Sequence, residues 1–207
     1  MDKKAVLQTE SDLRGVYRAP ASLVKNKAFP TIDRHARRFI ELSPFFCIGS
    51  AGADARADVS PRGGEPGFVH VLDEVHVAFP DRPGNNRLDT LTNLVHTPAV
   101  GLLFFVAGVH EMLRLNGTAS ITTQEDLMAR FTHEGRPPRS VIVVKAREVY
   151  FHCSKALRRS DLWNPAKHVD RASLPTFGEI AKDQFNSIVP AALIDYALDR
   201  DAKKNLY

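Results

Sequence analysis

Two cysteines in 207 residues, Cys47 and Cys153, are too few and too widely separated for a disulfide framework, and neither forms a CxxC pair that would hold zinc. Each lies in an apolar, strand-like run, which predicts buried free thiols in a reducing cytoplasm. No segment approaches the roughly 20 apolar residues that span a bilayer. Met1-Asp2-Lys3-Lys4 is followed by Glu10, Asp12 and Arg14 rather than by an apolar run, so neither a membrane span nor a signal peptide is expected. Charge of one sign is not in large excess: 28 Lys and Arg face 24 Asp and Glu, a formal +4. The basic residues are spread along the chain, Lys155 to Arg159 being the nearest approach to a cluster, and no aromatics interleave with them as a stacking platform. Nucleic acid is therefore not an expected partner, and a mild basic balance suits an anionic small ligand.

Motifs of hydrolytic and metal chemistry are also missing. His110-Glu111 has no second histidine at metalloprotease spacing, and the eight histidines are otherwise dispersed. His152 and Cys153 are neighbours on a predicted strand, where adjacent side chains point to opposite faces, so the pair does not suit one metal ion. No Gly-x-Ser-x-Gly elbow or Walker loop occurs. The bend at Gly63, Gly64 and Gly67 is interrupted by Pro66 and leads into a strand, which is wrong for a dinucleotide fingerprint.

What is present is an ordinary globular composition, 43% hydrophobic and 25% charged, of a length that supports one substantial core. Residues 1–42 read as a helical extension, with Thr31 capping a helix over 32–42 whose face is Ile32, Ala36, Phe39 and Ile40. Period-two patterns then predict strands at 45–50, 55–60, 68–72, 75–79, 100–106, 112–122 and 141–152. The run Leu102 to Val106 is apolar throughout and predicts a central strand covered on both sides, while Gly117 marks a bulge or a close backbone approach. Helices are expected at 87–96 and 124–131, and again in a C-terminal extension over 154–207, first across 155–162 and later over about 189–204. Strands with so few helical crossovers predict a mainly β, antiparallel domain with peripheral helices, and a small barrel is the favoured form.

The most informative stretch is Pro80-Asp81-Arg82-Pro83-Gly84-Asn85-Asn86-Arg87, which joins a strand to an amphipathic helix expected to begin at Asn86 or Arg87. A helix start leaves N–H groups unpaired, and arginines beside it add bidentate donors for a phosphate. Pro-Gly-Asn-Asn is equally an ordinary turn, so the fold around it has to decide.

Asp58-Val59-Ser60-Pro61-Arg62-Gly63, the strand at 75–79, this corner, and a helix ending at Thr97-Pro98 occur in an order that resembles the pyridoxamine 5'-phosphate oxidase-related FMN-binding split barrels. Gly101 to Phe105, Leu115 to Ala119 and Cys153-Ser154-Lys155-Ala156-Leu157 add to the likeness, which runs from about Phe39 to Trp163. The resemblance implies a homodimer with FMN at the subunit interface, the FMN phosphate held at Asn85-Asn86-Arg87 where relatives carry Ser-Arg-Lys. One cation of that triplet is absent here. Arg82 is a replacement, and Arg56 matches a family arginine that reaches the phosphate. Ser60 and Arg62 fall near the flavin ring, and Asp58, Phe79 and Asp81 belong to the same cofactor-binding segments. Lys155 and Trp163 correspond to contacts from the partner subunit; Trp163 is equally an interface anchor without a cofactor role, and Lys155 part of a solvated face. The implied activity is an FMN-dependent oxidoreduction of a small molecule with no assigned catalytic side chain. Relatives that bind deazaflavin F420, or a non-catalytic flavin- or haem-binding module, are the alternatives. The C-terminal Arg-Leu-x-Pro signature of true pyridoxamine-phosphate oxidation is absent.

Overall fold

The computed structural model describes residues 5–206, apart from the side chain of Leu23; the charged start at residues 1–4 lies outside them. Seven strands, β1 (Phe45–Ala51), β2 (Ala57–Gly63), β3 (His70–Val71), β4 (His76–Asp81), β5 (Ala99–Phe105), β6 (Met112–Thr122) and β7 (Ser140–His152), form one sheet in the order β2-β1-β5-β6-β7-β4-β3. Every pairing is antiparallel. In a flat sheet β1 and β4 would stand roughly 19 Å apart, four strand spacings. Yet the rings of Phe46 on β1 and Phe79 on β4 have centroids 4.9 Å apart. The sheet is thus curled around its own apolar face, with Phe46, Ile48, Leu102, Phe104, Leu113, Leu115 and Ile142 buried in one cluster. The end strands β2 and β3 do not pair, which leaves the barrel split.

The long β6–β7 ladder turns at a register shift between Asn116 and Gly117. A Cβ at Gly117 would run into the Lys145 carbonyl oxygen, so the bulge brings two backbones together where only glycine fits. The strand β5 differs from expectation: Val100, Leu102 and Phe104 are buried, but Leu103 and Phe105 are only half-buried on the outer face. Apolar sequence therefore covers both faces while the protomer itself buries one. Pro61 lies within β2 and is accommodated because β2 is an edge strand with an unpaired side.

Helices α1 (Glu10–Val16) and α2 (Ser22–Lys25) precede α3 (Arg34–Leu42), which packs Ala36 and Ile40 into the core. Its cap is Asp33, not Thr31: the Asp33 carboxylate accepts the N–H groups of His35 and Ala36 at 2.9 and 2.7 Å. Ile32 stays outside the helix because its N–H donates to the Glu74 carbonyl. Helices α4 (Asp89–His96) and α5 (Glu125–Ala129) interrupt the strands, and α6 (Lys155–Ser160), α7 (Phe177–Phe185) and α8 (Ala191–Lys204) follow them. The helix α7 was not expected, although Thr176 and Glu179 form a full capping box at its start. Gly178 lets α7 approach α8, where its N–H donates to the Asp195 carboxylate at 2.7 Å.

The expectation of buried thiols is corrected. Cys47 is half-buried on the outer face of β1, and Cys153 is exposed because β7 ends at His152 and α6 begins at Lys155. Among the described residues no helix is long and apolar enough to cross a membrane, and no group of three or more His, Cys, Asp or Glu is placed to hold a metal ion.

A candidate anion and cofactor cleft

Opposed residues of an antiparallel pair point to the same side, so the register Phe46↔Arg62, Ile48↔Ser60 and Ser50↔Asp58 turns Arg62, Ser60 and Asp58 inward with the core residues of β1. The edge strand β2 has no further neighbour to cover them. They face an open cleft of about 290 Å³ whose opposite wall is the corner after β4 and the first turn of α4. Asp81, Arg82, Asn85, Asn86 and Arg87 line that wall. Eight of the sequence-derived candidates thus meet in one cleft.

The corner is built by its asparagines. Asn85 Oδ1 accepts the Arg87 N–H at 3.0 Å, and Asn86 and Leu88 both sit in left-handed backbone, at φ 57° and 59°. That conformation is uncommon for asparagine and costly for leucine. It delays the start of α4 to Asp89, beyond the expected Asn86 or Arg87, and leaves the helix without a side-chain cap. The residues of its first turn, Asp89, Thr90 and Leu91, line the cleft. Gly84 is not demanded by packing, since a Cβ there would meet open space.

The cations differ in how they are engaged. Arg87 Nε donates to Asp89 at 2.7 Å on the surface, and Arg82 Nη2 donates to the Phe131 carbonyl at 2.9 Å. Arg62 Nη1 donates to Ser60 Oγ at 3.1 Å, but Arg62 Nε is buried without a partner. A buried guanidinium donor left unpaired costs about 1–3 kcal/mol, which is the expected condition of a group that awaits a ligand's acceptor. Burial pushes the Asp81 carboxyl above its ordinary range, and the charges of Arg62 and Arg139 pull against that. Arg139 is a cleft residue that sequence reading missed; it sits just ahead of β7, and the Asp81↔Ser140 pairing carries it to the corner.

Asp58 is held by protein groups: Thr90 Oγ1 donates to its Oδ2 at 2.9 Å and Ser50 Oγ lies at 3.4 Å. Four other candidates lie elsewhere. Phe79 is fully buried against Phe46 and supports β4 from the core. Arg56 is in the turn before β2, paired with Asp54 at 2.7 Å. Lys155 is exposed at the start of α6, and Trp163 donates its indole N–H to the Val109 carbonyl at 2.9 Å.

Several solved structures align with part of the chain. HupZ of Group A Streptococcus aligns at 13% identity and a TM-score of 0.48, over 58% of this chain and 99% of that one. The general stress protein 26 of Bacillus anthracis aligns at 13% and 0.43, over 56% and 93%. A pyridoxamine 5'-phosphate oxidase-related, FMN binding protein of Nostoc punctiforme aligns at 12% and 0.39, over 56% and 77%. No curated protein matches the chain. The family model described as pyridoxamine 5'-phosphate oxidase matches residues 32–153, more than half of the chain, from the start of the α3 segment through the end of β7 and including the whole cleft. On that match the protein belongs to the pyridoxamine 5'-phosphate oxidase-related family.

Proposed function

We propose that this protein is a cytoplasmic FMN-binding flavoprotein, an FMN-dependent oxidoreductase of a small molecule that works as a homodimer, with helical extensions on either side of a single split-barrel domain. The observation that carries the reading is the unpaired, buried Arg62 Nε in a cleft whose other end is an arginine- and asparagine-lined helix start. An anionic ligand with hydrogen-bond acceptors at both ends fits that donor set. Asn85, Asn86, Arg82 and Arg87 would hold its phosphate, and Ser60 and Arg62 would donate to the electron-rich edge of its ring. When bound, the isoalloxazine supplies hydride or electron transfer. Asp58 fixes the start of α4 against β1 and β2, which keeps the donors in place.

The dimer is supported by the outer face of β2, β1 and β5. Val59, Pro61, Phe45, Leu103 and Phe105 make it apolar, and Val59 and Pro61 are also part of the cleft wall. A second copy on that face would close the cleft, with Lys155 and Trp163 of the C-terminal extension available as contacts across the interface.

The absorption spectrum of the purified protein, followed by mass analysis of what heat releases, tests the cofactor. An FMN mass is expected; a deazaflavin mass would assign F420 instead, and a colourless protein that takes up no added FMN would sink the reading. Bleaching of the flavin by NADH or NADPH with turnover is expected of an enzyme, whereas a stably oxidised flavin would mark a storage module.

A further inference from the structure

We infer that Arg139 is a third phosphate cation of the cleft, beside Arg82 and Arg87, and the one that makes this site select a phosphorylated flavin over its dephosphorylated form. The inference rests on the flavin reading above. Four guanidinium groups line the cleft, those of Arg62, Arg82, Arg87 and Arg139. A phosphate dianion needs close to two compensating charges. The positive charge of Arg87 is offset directly by Asp89, and Arg62 lies on β2, on the wall across from the corner. Arg82 is directed at the Phe131 carbonyl.

Arg139 has a different connection. Its Nη1 donates to Asn86 Oδ1 at 3.1 Å, a neutral acceptor in the middle of the corner. That bond holds the guanidinium beside Asn86 within the corner, and it leaves the remaining N–H groups of the fork for other acceptors. The position is delivered by tertiary structure: Asp81 ends β4 and Ser140 begins β7 as paired residues, so the residue ahead of Ser140 arrives beside the residue that follows Asp81. Asn86 is therefore a positioning residue for a cation that comes from more than fifty residues downstream, and the contact compensates for a corner poor in charge. Asp81, whose carboxyl is influenced by both Arg62 and Arg139, is the acidic group that counterbalances the pair when no phosphate is bound.

The experiment compares dissociation constants of FMN and riboflavin for the wild-type protein, Arg139→Ala and Arg139→Lys. A charge-assisted bond of about 1.5–3 kcal/mol corresponds to a loss of about 10- to 100-fold in FMN affinity for Arg139→Ala. Riboflavin affinity is expected to stay within about twofold, and Arg139→Lys to recover part of the FMN affinity because it restores the charge without the fork. The preference of the wild-type protein for FMN is expected to fall steeply with added salt, and that slope to flatten in Arg139→Ala. Equal loss of both flavins, or no loss of either, would overturn the role of Arg139 while leaving the cofactor reading of the wild-type protein intact. A wild-type protein that binds neither flavin would overturn the cofactor reading itself. Unchanged riboflavin binding also shows that Arg139→Ala is folded.

Discussion

Thr90 Oγ1 donates to Asp58 Oδ2 at 2.9 Å, joining the first turn of α4 to the edge strand β2. The same carboxylate lies 3.4 Å from Ser50 Oγ, which in turn accepts from Asn93 Nδ2 at 3.0 Å. A short, half-buried network therefore ties the two walls of the cleft together. Thr90→Val keeps the shape and removes the donor, and is expected to cost about 1 kcal/mol of stability. Asp58→Ala is expected to cost more, about 1–3 kcal/mol, because Thr90 and Ser50 then lose a shared acceptor. Urea unfolding followed by circular dichroism measures both. If the network sets the cleft, Thr90→Val also weakens flavin binding; unchanged affinity would show that α4 is held by packing alone.

Gly117 makes a second, independent prediction. A Cβ there would meet the Lys145 carbonyl oxygen and the Ala146 backbone, neither of which can rotate away. Gly117→Ala must displace the β6–β7 ladder, the longest pairing in the sheet. The expected loss is about 1–3 kcal/mol, the usual cost of overpacking, read as a lower urea midpoint with an unchanged slope. Gly84→Ala serves as the control, since a Cβ there meets open space and little change is expected.

The strand pattern was legible because period two survives in any half-buried strand: the segments predicted at 112–122 and 141–152 match β6 and β7 to within a residue. The corner at Arg82 to Arg87 stood out by its local chemistry, and the structure makes it one wall of the cleft. What escaped was set by contacts remote in sequence. Arg139 carries no local signal, and only the β4–β7 register brings it to the corner. The late start of α4 depends on Leu88 in a conformation no sequence rule favours. Phe79 reads as a site residue by position, but a fully buried ring among Phe46 and its neighbours belongs to the core. The cap at Asp33 was decided by Ile32, whose N–H is claimed by Glu74. The helix α7 had a visible signal, Thr176 followed three residues later by Glu179, and that capping box would have found it.

Asp81 gives a pH dependence whose sign is fixed by its environment. Burial raises its pKa in the folded protein, with Arg62 and Arg139 acting in the opposite sense. The folded state therefore binds the proton more tightly than the unfolded chain. The contribution of this group to stability falls as pH rises from the ordinary carboxylate value through the raised one, and is constant above it. Asp81→Asn removes that slope. The variant is expected to be more stable than the wild-type protein at neutral pH, the difference vanishing below about pH 4. Its affinity for a phosphorylated flavin is expected to rise at neutral pH, since a negative charge has left the cleft. Urea midpoints across a pH series provide the check, and a wild-type protein that gains on the variant as pH rises would mean that Arg62 and Arg139 outweigh burial.

The outer face of β1 offers a test of the dimer that does not depend on flavin. Cys47 pairs in register with Pro61 and Leu103 on that face, half-buried in the protomer, whereas Cys153 is exposed beyond the end of β7. In a dimer seated on this face Cys47 is shielded, so a thiol reagent is expected to label Cys153 quickly and Cys47 slowly. Val59 lies on the same face, 71% exposed in the protomer. Val59→Glu would bury two carboxylates at a twofold interface, and is expected to weaken dimerisation by at least about 10- to 100-fold. Sedimentation velocity should then show a monomer, Cys47 should label as fast as an accessible thiol, and flavin affinity should fall because one wall of the cleft is lost. Fast labelling of Cys47 in a wild-type dimer would place the interface on another face. A wild-type monomer with full flavin affinity would make the cleft complete within one chain and remove the partner's Lys155 and Trp163 from the site.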